Sequence, residues 1–244
     1  MKVKNYILER IAKGTIHLTL IDPAKQSAEA AAEIIRKAKD AGTDAVMLGG
    51  STGVTRENLG DTADAIRKVC DLPTIIFPSG ARAISERCDA IFFMSLVNSE
   101  DIDWVIGEQV KGSLFIREMG LEPISMGYII IEPGMKVGEV GHAKPIKRDD
   151  LKRAMATALA CEYLGMDLIY LEAGSGADVP VPPEMIKAVK DILSVPLIVG
   201  GGIRTPEAAK AARLAGADAI VTGTFVEICS DYSELKKVIE ASKG

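Results

Sequence analysis

The chain has 244 residues, 48% of them hydrophobic but only 5% aromatic, and a formal charge of −5. That balance supplies no positive field for a nucleic-acid backbone, so nucleic acid is excluded as a partner. No apolar run approaches the roughly 18 residues of a membrane span. Cys70, Cys88, Cys161 and Cys229 are far apart, with no C-x-x-C pair and only His17 and His142 to help, which argues against a zinc or disulfide framework and for a reducing cytoplasm.

In chain order, the opening MKVKNYILERIAKG mixes charges through its hydrophobic residues, as an amphipathic helix does and a leader peptide does not. Eight short β-rich runs then follow: TIHLTLID (15–22), DAVMLGG (44–50), TIIFPSG (74–80), AIFFMS (90–95), SMGYIII (125–131), DLIYLEAG (167–174), PLIVGGG (196–202) and DAIVTGT (218–224). Their hydrophobicity is continuous rather than alternating, which predicts strands buried on both faces, and the helical patterns between them predict parallel pairing. Ser27 and Thr205 are expected N-caps, with Pro206 at a first helical position and Gly42 and Gly216 as stops. AGTDAVML (41–48) and AGADAIVT (215–222) are near copies, and LGMDLIYL (164–171) is a looser third. Eight such units predict a single-domain α/β fold over residues 1–244, a phosphate-binding (β/α)8 TIM barrel; an open doubly wound sheet offers no reason for eight regular repeats.

One unit is irregular. Only twelve residues, Pro78 to Asp89, join the third and fourth strands, barely enough for a parallel crossover, so the third helix is expected to be shortened. A gap there would admit an elongated apolar substrate along the barrel's side; a loop packed shut is the alternative. The segment EDIDWVIGEQVKGSLF is read as a helix with Ile102, Val105, Ile106, Gln109 and Ser113 facing the barrel. Trp104 and Phe115 then fall nearly opposite, predicting a homo-oligomer that assembles through the Trp104 helix, with local cover by a neighbouring loop as the alternative.

Chemistry in such barrels belongs at the C-terminal strand ends. The seventh strand ends in Gly200, Gly201 and Gly202 and the eighth in Gly223 and Thr224; bare amides at neighbouring ends make a phosphate site, where glycines at only one end would suit a tight turn equally well. Glu172 ends the sixth strand, followed by Gly174, Ser175 and Gly176. A carboxylate beside a phosphate site is suited to accept a proton from a substrate hydroxyl, the plainer reading being a surface glutamate. Asp22 and Ser51 end the first two strands. Barrel closure sets them beside the phosphate site, and their oxygens suit Mg²⁺ carrying a second, more highly charged anion. Phe92, Met94, Tyr128 and Ile130 are candidates for an apolar groove, or ordinary barrel filling.

The segments HLTLIDPAK, MLGGSTGVT, FFMSLVNSED, YIIIEPG, YLEAGSGADVPVP, VGGGIRTPEAA and VTGTFVE together resemble the geranylgeranylglyceryl phosphate synthase family, with heptaprenylglyceryl phosphate synthase as its bacterial sister. The resemblance implies an enzyme of archaeal membrane phospholipid synthesis. It would join geranylgeranyl diphosphate to sn-glycerol 1-phosphate through an ether bond, releasing pyrophosphate with Mg²⁺. It also implies that Asp22 and Ser51 hold the metal and that Tyr170, Leu171, Glu172, Ala173, Gly174, Ser175 and Gly176, with Gly201, Gly202, Gly223 and Thr224, bind glycerol phosphate. Where some members carry a lysine two residues before the metal aspartate, this chain has Leu20. No D-D-x-x-D cluster is present, which excludes a helical prenyl-chain elongase. The rival readings are a different prenyl length, a phosphate-binding barrel lyase or isomerase, and a phosphate-ligand sensor.

Overall fold

A computed structural model describes residues 2–229 and 231–244. The elements are α1 (Val3–Ile11), β1 (Ile16–Ile21), α2 (Ala28–Asp40), β2 (Ala45–Leu48), α3 (Arg56–Arg67), β3 (Thr74–Ile76), β4 (Ala90–Leu96), α4 (Glu108–Met119), β5 (Glu122–Ile130), α5 (Met135–Val140), α6 (Leu151–Tyr163), β6 (Leu168–Glu172), α7 (Pro183–Lys190), β7 (Leu197–Gly200), α8 (Pro206–Leu214), β8 (Ala219–Thr222), α9 (Thr224–Ile228) and α10 (Tyr232–Lys243). The eight strands pair in parallel in sequence order and close through β8 and β1, with Leu18 opposite Val221. Ser27 and Thr205 cap α2 and α8 through their hydroxyls, each 3.2 Å from the amide three residues on. Among the described residues no helix is long and apolar enough to cross a membrane.

Continuous hydrophobicity in the strands resolves into two layers. Leu18, Met47, Ile75, Phe92, Tyr170 and Val221 fill the barrel interior. Alternate residues such as Leu48, Ile76, Leu171 and Ile220 face the helices. Each fully buried side chain of this size contributes about 1.5–3 kcal/mol relative to exposure. The N-terminal end of the barrel is closed by α1, whose Val3 and Ile7 join the interior cluster. The Val3 and Lys4 amides donate to the Glu122 carboxylate at 2.6 and 3.2 Å, an anion at a helix start.

Two expectations change in degree or in kind. Between β3 and β4 the reduction is complete: residues 77–89 contain turns and bends and no helix, so the outer ring is open beside α4. The outward placement of Trp104 is incorrect. Asp103–Gly107 forms a π-helical turn, whose wider winding breaks the 3.6-residue phase on which that placement rested. Trp104 is half-buried and packs on the barrel-interior cluster, while Gly112 and Ile116 are the buried positions of α4. The Gln109 side chain points inward as expected, donating to the Met94 carbonyl. Ile102 and Ile106, expected to face the barrel, are 68% and 50% exposed, and Ser113 is also exposed. Phe115 does face solvent, in a row with Val110 and Leu114.

A polar seam runs between β1 and α10. His17 is fully buried, with ring nitrogens 2.9 Å from the Thr43 and Thr222 hydroxyls. Lys243 reaches the Gly42 carbonyl at 2.7 Å and the Asp44 carboxylate. Burial, reinforced by Lys243, depresses the imidazole to about 3. A depressed histidine contributes stability that is present above its unfolded value of about 6.5 and lost as pH falls toward the folded value. His17→Gln is therefore expected to flatten the acid limb of denaturant-measured stability between pH 6.5 and 4, removing a slope of up to ~1.4 kcal/mol per pH unit.

Candidate active site

The ends of β6, β7 and β8 converge on one small pocket. Tyr170, Glu172, Ser175, Gly176, Gly201, Gly202, Gly223 and Thr224 all line it. At Gly201, φ is +83° and a Cβ would stand 2.3 Å from the Glu172 carboxylate, so both backbone and space require glycine. The Ser175 and Thr224 hydroxyls are 2.7 Å apart across the pocket. The Tyr170 hydroxyl is buried beside the Glu172 carboxylate but lacks a hydrogen bond of regular geometry, so a polar ligand here would complete it.

Three members of the expected run do not line the pocket. Strand alternation turns Leu171 and Ala173 into the helix-facing layer. The Ala173 amide and carbonyl are also engaged, with the Gly200 carbonyl and the Gly134 amide. Gly174 acts through its amide, which donates to Glu172 Oε1 at 2.6 Å. Conversely, Arg204 was not anticipated: it lines the pocket and donates to the Gly176 carbonyl. Its signal was a guanidinium two residues beyond the glycine run.

Glu172 is 6% exposed. Burial pushes its carboxyl above the ordinary range, opposed by the Tyr170 hydroxyl, the Gly174 amide and the Tyr128 hydroxyl. Tyr128 and Tyr170 stand side by side on β5 and β6, ring centroids 5.1 Å apart and edge-on. Phe77 packs edge-on to Tyr128 at 5.3 Å. A carboxyl whose proton affinity is raised in this way is, as its anion, a stronger base than an exposed one.

A long groove leaves the same spot. Its apolar walls come from the open stretch between β3 and β4 (Pro78, Ala81, Ile84), from Phe92, Met94 and Tyr128, and from the inner face of α4 with Trp104. Ile130, the fourth residue expected there, belongs to the barrel-interior cluster instead. Leu20, Glu172, Ser175, Gly223 and Thr224 line both groove and pocket, so the two cavities share one wall.

The polar end of the groove holds Asp22 and Ser51. The Asp22 carboxylate packs against Gly50, where a Cβ would be 2.2 Å from Oδ2, so the chain after β2 passes directly over it. Burial raises the Asp22 carboxyl; the Ala24 amide and Lys25 oppose this, and Glu227 adds to it. No group of three His, Cys, Asp or Glu side chains converges on a metal position among the described residues. One carboxylate and one hydroxyl nevertheless fit Mg²⁺, which keeps several waters and completes its shell with substrate phosphate oxygens. Glu227 was also not anticipated. From α9 its Oε1 accepts from the Asp22 amide at 2.8 Å and from Gln26 at 3.3 Å, tying the Asp22 loop to the helix that follows Gly223. An acid in the short segment after the glycine that ends β8 was the available clue.

The profile of the PcrB family matches residues 8–242. Geranylgeranylglyceryl phosphate synthase of Methanococcoides burtonii is 52% identical over 248 residues, covering 100% of both chains. Its counterpart in Picrophilus torridus is 49% identical over 242 residues, covering 99% of this chain and 100% of its own. The crystal structure of (S)-3-O-geranylgeranylglyceryl phosphate synthase from Thermoplasma acidophilum in complex with substrate sn-glycerol-1-phosphate superposes with a TM-score of 0.97 at 46% identity, covering 100% of this chain and 99% of that one.

The raised Glu172 carboxyl has a thermodynamic consequence. Its stabilising protonated form is present below the unfolded value and lost as pH rises through the folded value, so the buried anion burdens the fold in alkali. Glu172→Gln, which keeps an acceptor for the Gly174 amide, is expected to raise Tm at pH 8. The excess should shrink on acidification, as scanning calorimetry across pH 5–8 would check.

Proposed function

The chain belongs to the PcrB family, and on that footing we propose that it is a prenyltransferase forming an ether bond between the C3 hydroxyl of sn-glycerol 1-phosphate and geranylgeranyl diphosphate. The observation that carries this reading is the shared wall. A glycine-lined anion pocket and a long apolar groove meet at Leu20, Glu172, Ser175, Gly223 and Thr224. A phosphate-binding lyase or isomerase would have no use for the groove.

The phosphate of the acceptor lies among the amides of Gly201, Gly202, Gly223 and Thr224, with Arg204 at the rim. Tyr170 offers its hydroxyl to the same molecule. Its C3 hydroxyl then faces Glu172, which takes the proton as the oxygen bonds to C1 of the prenyl chain. The C1–O bond to diphosphate breaks and its electron pair leaves with diphosphate. Mg²⁺ held by Asp22 and Ser51 would neutralise charge on that leaving group. The Tyr128 ring beside Glu172, and the Phe77 ring packed against it, would favour positive charge developing on the allylic carbon. The tail follows the opening left by the missing helix, and Trp104 on its wall limits the length accepted. We place the reaction in the cytoplasm and the assembly of copies on the outer face of α4, where Val110, Leu114 and Phe115 are exposed, and of the turn before it, where Ile102 and Ile106 are exposed.

Incubation with sn-glycerol 1-phosphate and C15, C20 or C35 diphosphates is expected to yield the C20 ether, lost on chelation and restored by Mg²⁺. Turnover without any divalent ion, or with no prenyl diphosphate at all, would overturn the reading. Glu172→Gln should lower kcat by about 10²–10⁴ while diphosphate affinity stays near the wild-type value. Trp104→Ala should raise kcat/KM for C35 relative to C20 by about tenfold, the scale of relieving an overpacking clash of about 1–3 kcal/mol. A charge placed on the outer face of α4, as in Leu114→Asp, should reduce the mass measured by light scattering to that of one chain.

A further inference from the structure

We infer that Lys25 binds the diphosphate of the prenyl substrate and that Glu227 is the positioning residue that holds it there, an inference that rests on the groove's being the diphosphate site. Among the described residues lining the groove, Lys25 is the single cation, against the carboxylates of Asp22, Glu108, Glu172 and Glu227. Glu108 is already neutralised by Lys111 at 2.7 Å and capped by the Ala81 amide. The charge at the polar end is therefore set by Asp22, Glu227 and Lys25. A divalent ion on Asp22 would only cancel the Asp22 and Glu227 carboxylates, so the positive excess offered to a polyanionic leaving group would come from the Lys25 ammonium.

The geometry places Lys25 in that position. Its Nζ stands 3.3 Å from Glu227 Oε2 and 3.6 Å from Asp22 Oδ2, so it bridges the two carboxylates where a cation-bound phosphate would approach. The Lys25 side chain is 52% exposed while that of Glu227 is 7% exposed. The carboxylate is thus a fixed anchor, and the ammonium keeps free protons toward the groove. Glu227 does not need Lys25 for its own satisfaction, because Oε1 already accepts from the Asp22 amide and from Gln26. With the ammonium half exposed, solvent screening keeps the contribution of this ion pair to folding small. Leu20, on the wall between pocket and groove, supplies no charge to share the task.

Titration calorimetry of inorganic pyrophosphate and of sn-glycerol 1-phosphate against the full chain, each with and without Mg²⁺, tests the assignment. Lys25→Met should weaken pyrophosphate binding by about tenfold or more while glycerol phosphate affinity changes less than about twofold, and Lys25→Arg should restore most of the loss. Glu227→Gln keeps an acceptor for the Asp22 amide but removes the anchor charge, and should weaken pyrophosphate by a smaller factor. Wild-type pyrophosphate affinity in Lys25→Met overturns the inference, as does a parallel loss of both ligands, which marks a structural residue. Failure of the wild-type chain itself to bind pyrophosphate with Mg²⁺ would instead overturn the reading of the groove.

Discussion

The parallel ladder that joins β8 to β1 is the constraint on which the site depends. It sets Leu18 opposite Val221 and so brings the end of β1, with Asp22, round to the end of β8, with Gly223. Residues two hundred positions apart in sequence become neighbours across one strand spacing of about 4.8 Å. Glu227 then ties the two ends together through the Asp22 amide. Without closure, the glycine pocket and the acidic mouth of the groove would lie on opposite edges of an open sheet.

That proximity concentrates negative charge. Glu172, Asp22 and Glu227 are all largely buried near one mouth, and burial pushes the first two carboxyls upward. A fold selected for stability alone would replace them with neutral residues, since uncompensated buried charge is costly. The Tyr170 hydroxyl belongs to the same pattern. Away from the site, the buried His17 ring is satisfied at both nitrogens, by Thr43 and Thr222. The like-charged carboxylates and the Tyr170 hydroxyl therefore stand where ligands would complete them.

The groove arises from what is missing. Helices cover the barrel except between β3 and β4, where turns replace one. The π-turn before α4 rotates Trp104 into that opening. An apolar lining continuous with the barrel core becomes accessible from outside, which a complete ring of helices would forbid.

Much of this was legible in the chain itself. Strand number, parallel order, capping by Ser27 and Thr205 and the glycine pocket are local matters: each depends on a run of neighbouring residues whose backbone preferences and hydrophobic period act over a few positions. Tyr170 and Glu172 could be placed in the site by strand alternation, and the same alternation removes Leu171 and Ala173 from it. Only the tertiary structure decided the facing of Trp104, because a single wide turn moves every later residue of the helix by a large angle, and no side-chain pattern marks that turn. It alone also decided which groups Arg204, Glu227 and Lys25 meet. Their significance lies in what stands across from them, and contacts between residues remote in sequence are created by barrel closure rather than by any local preference.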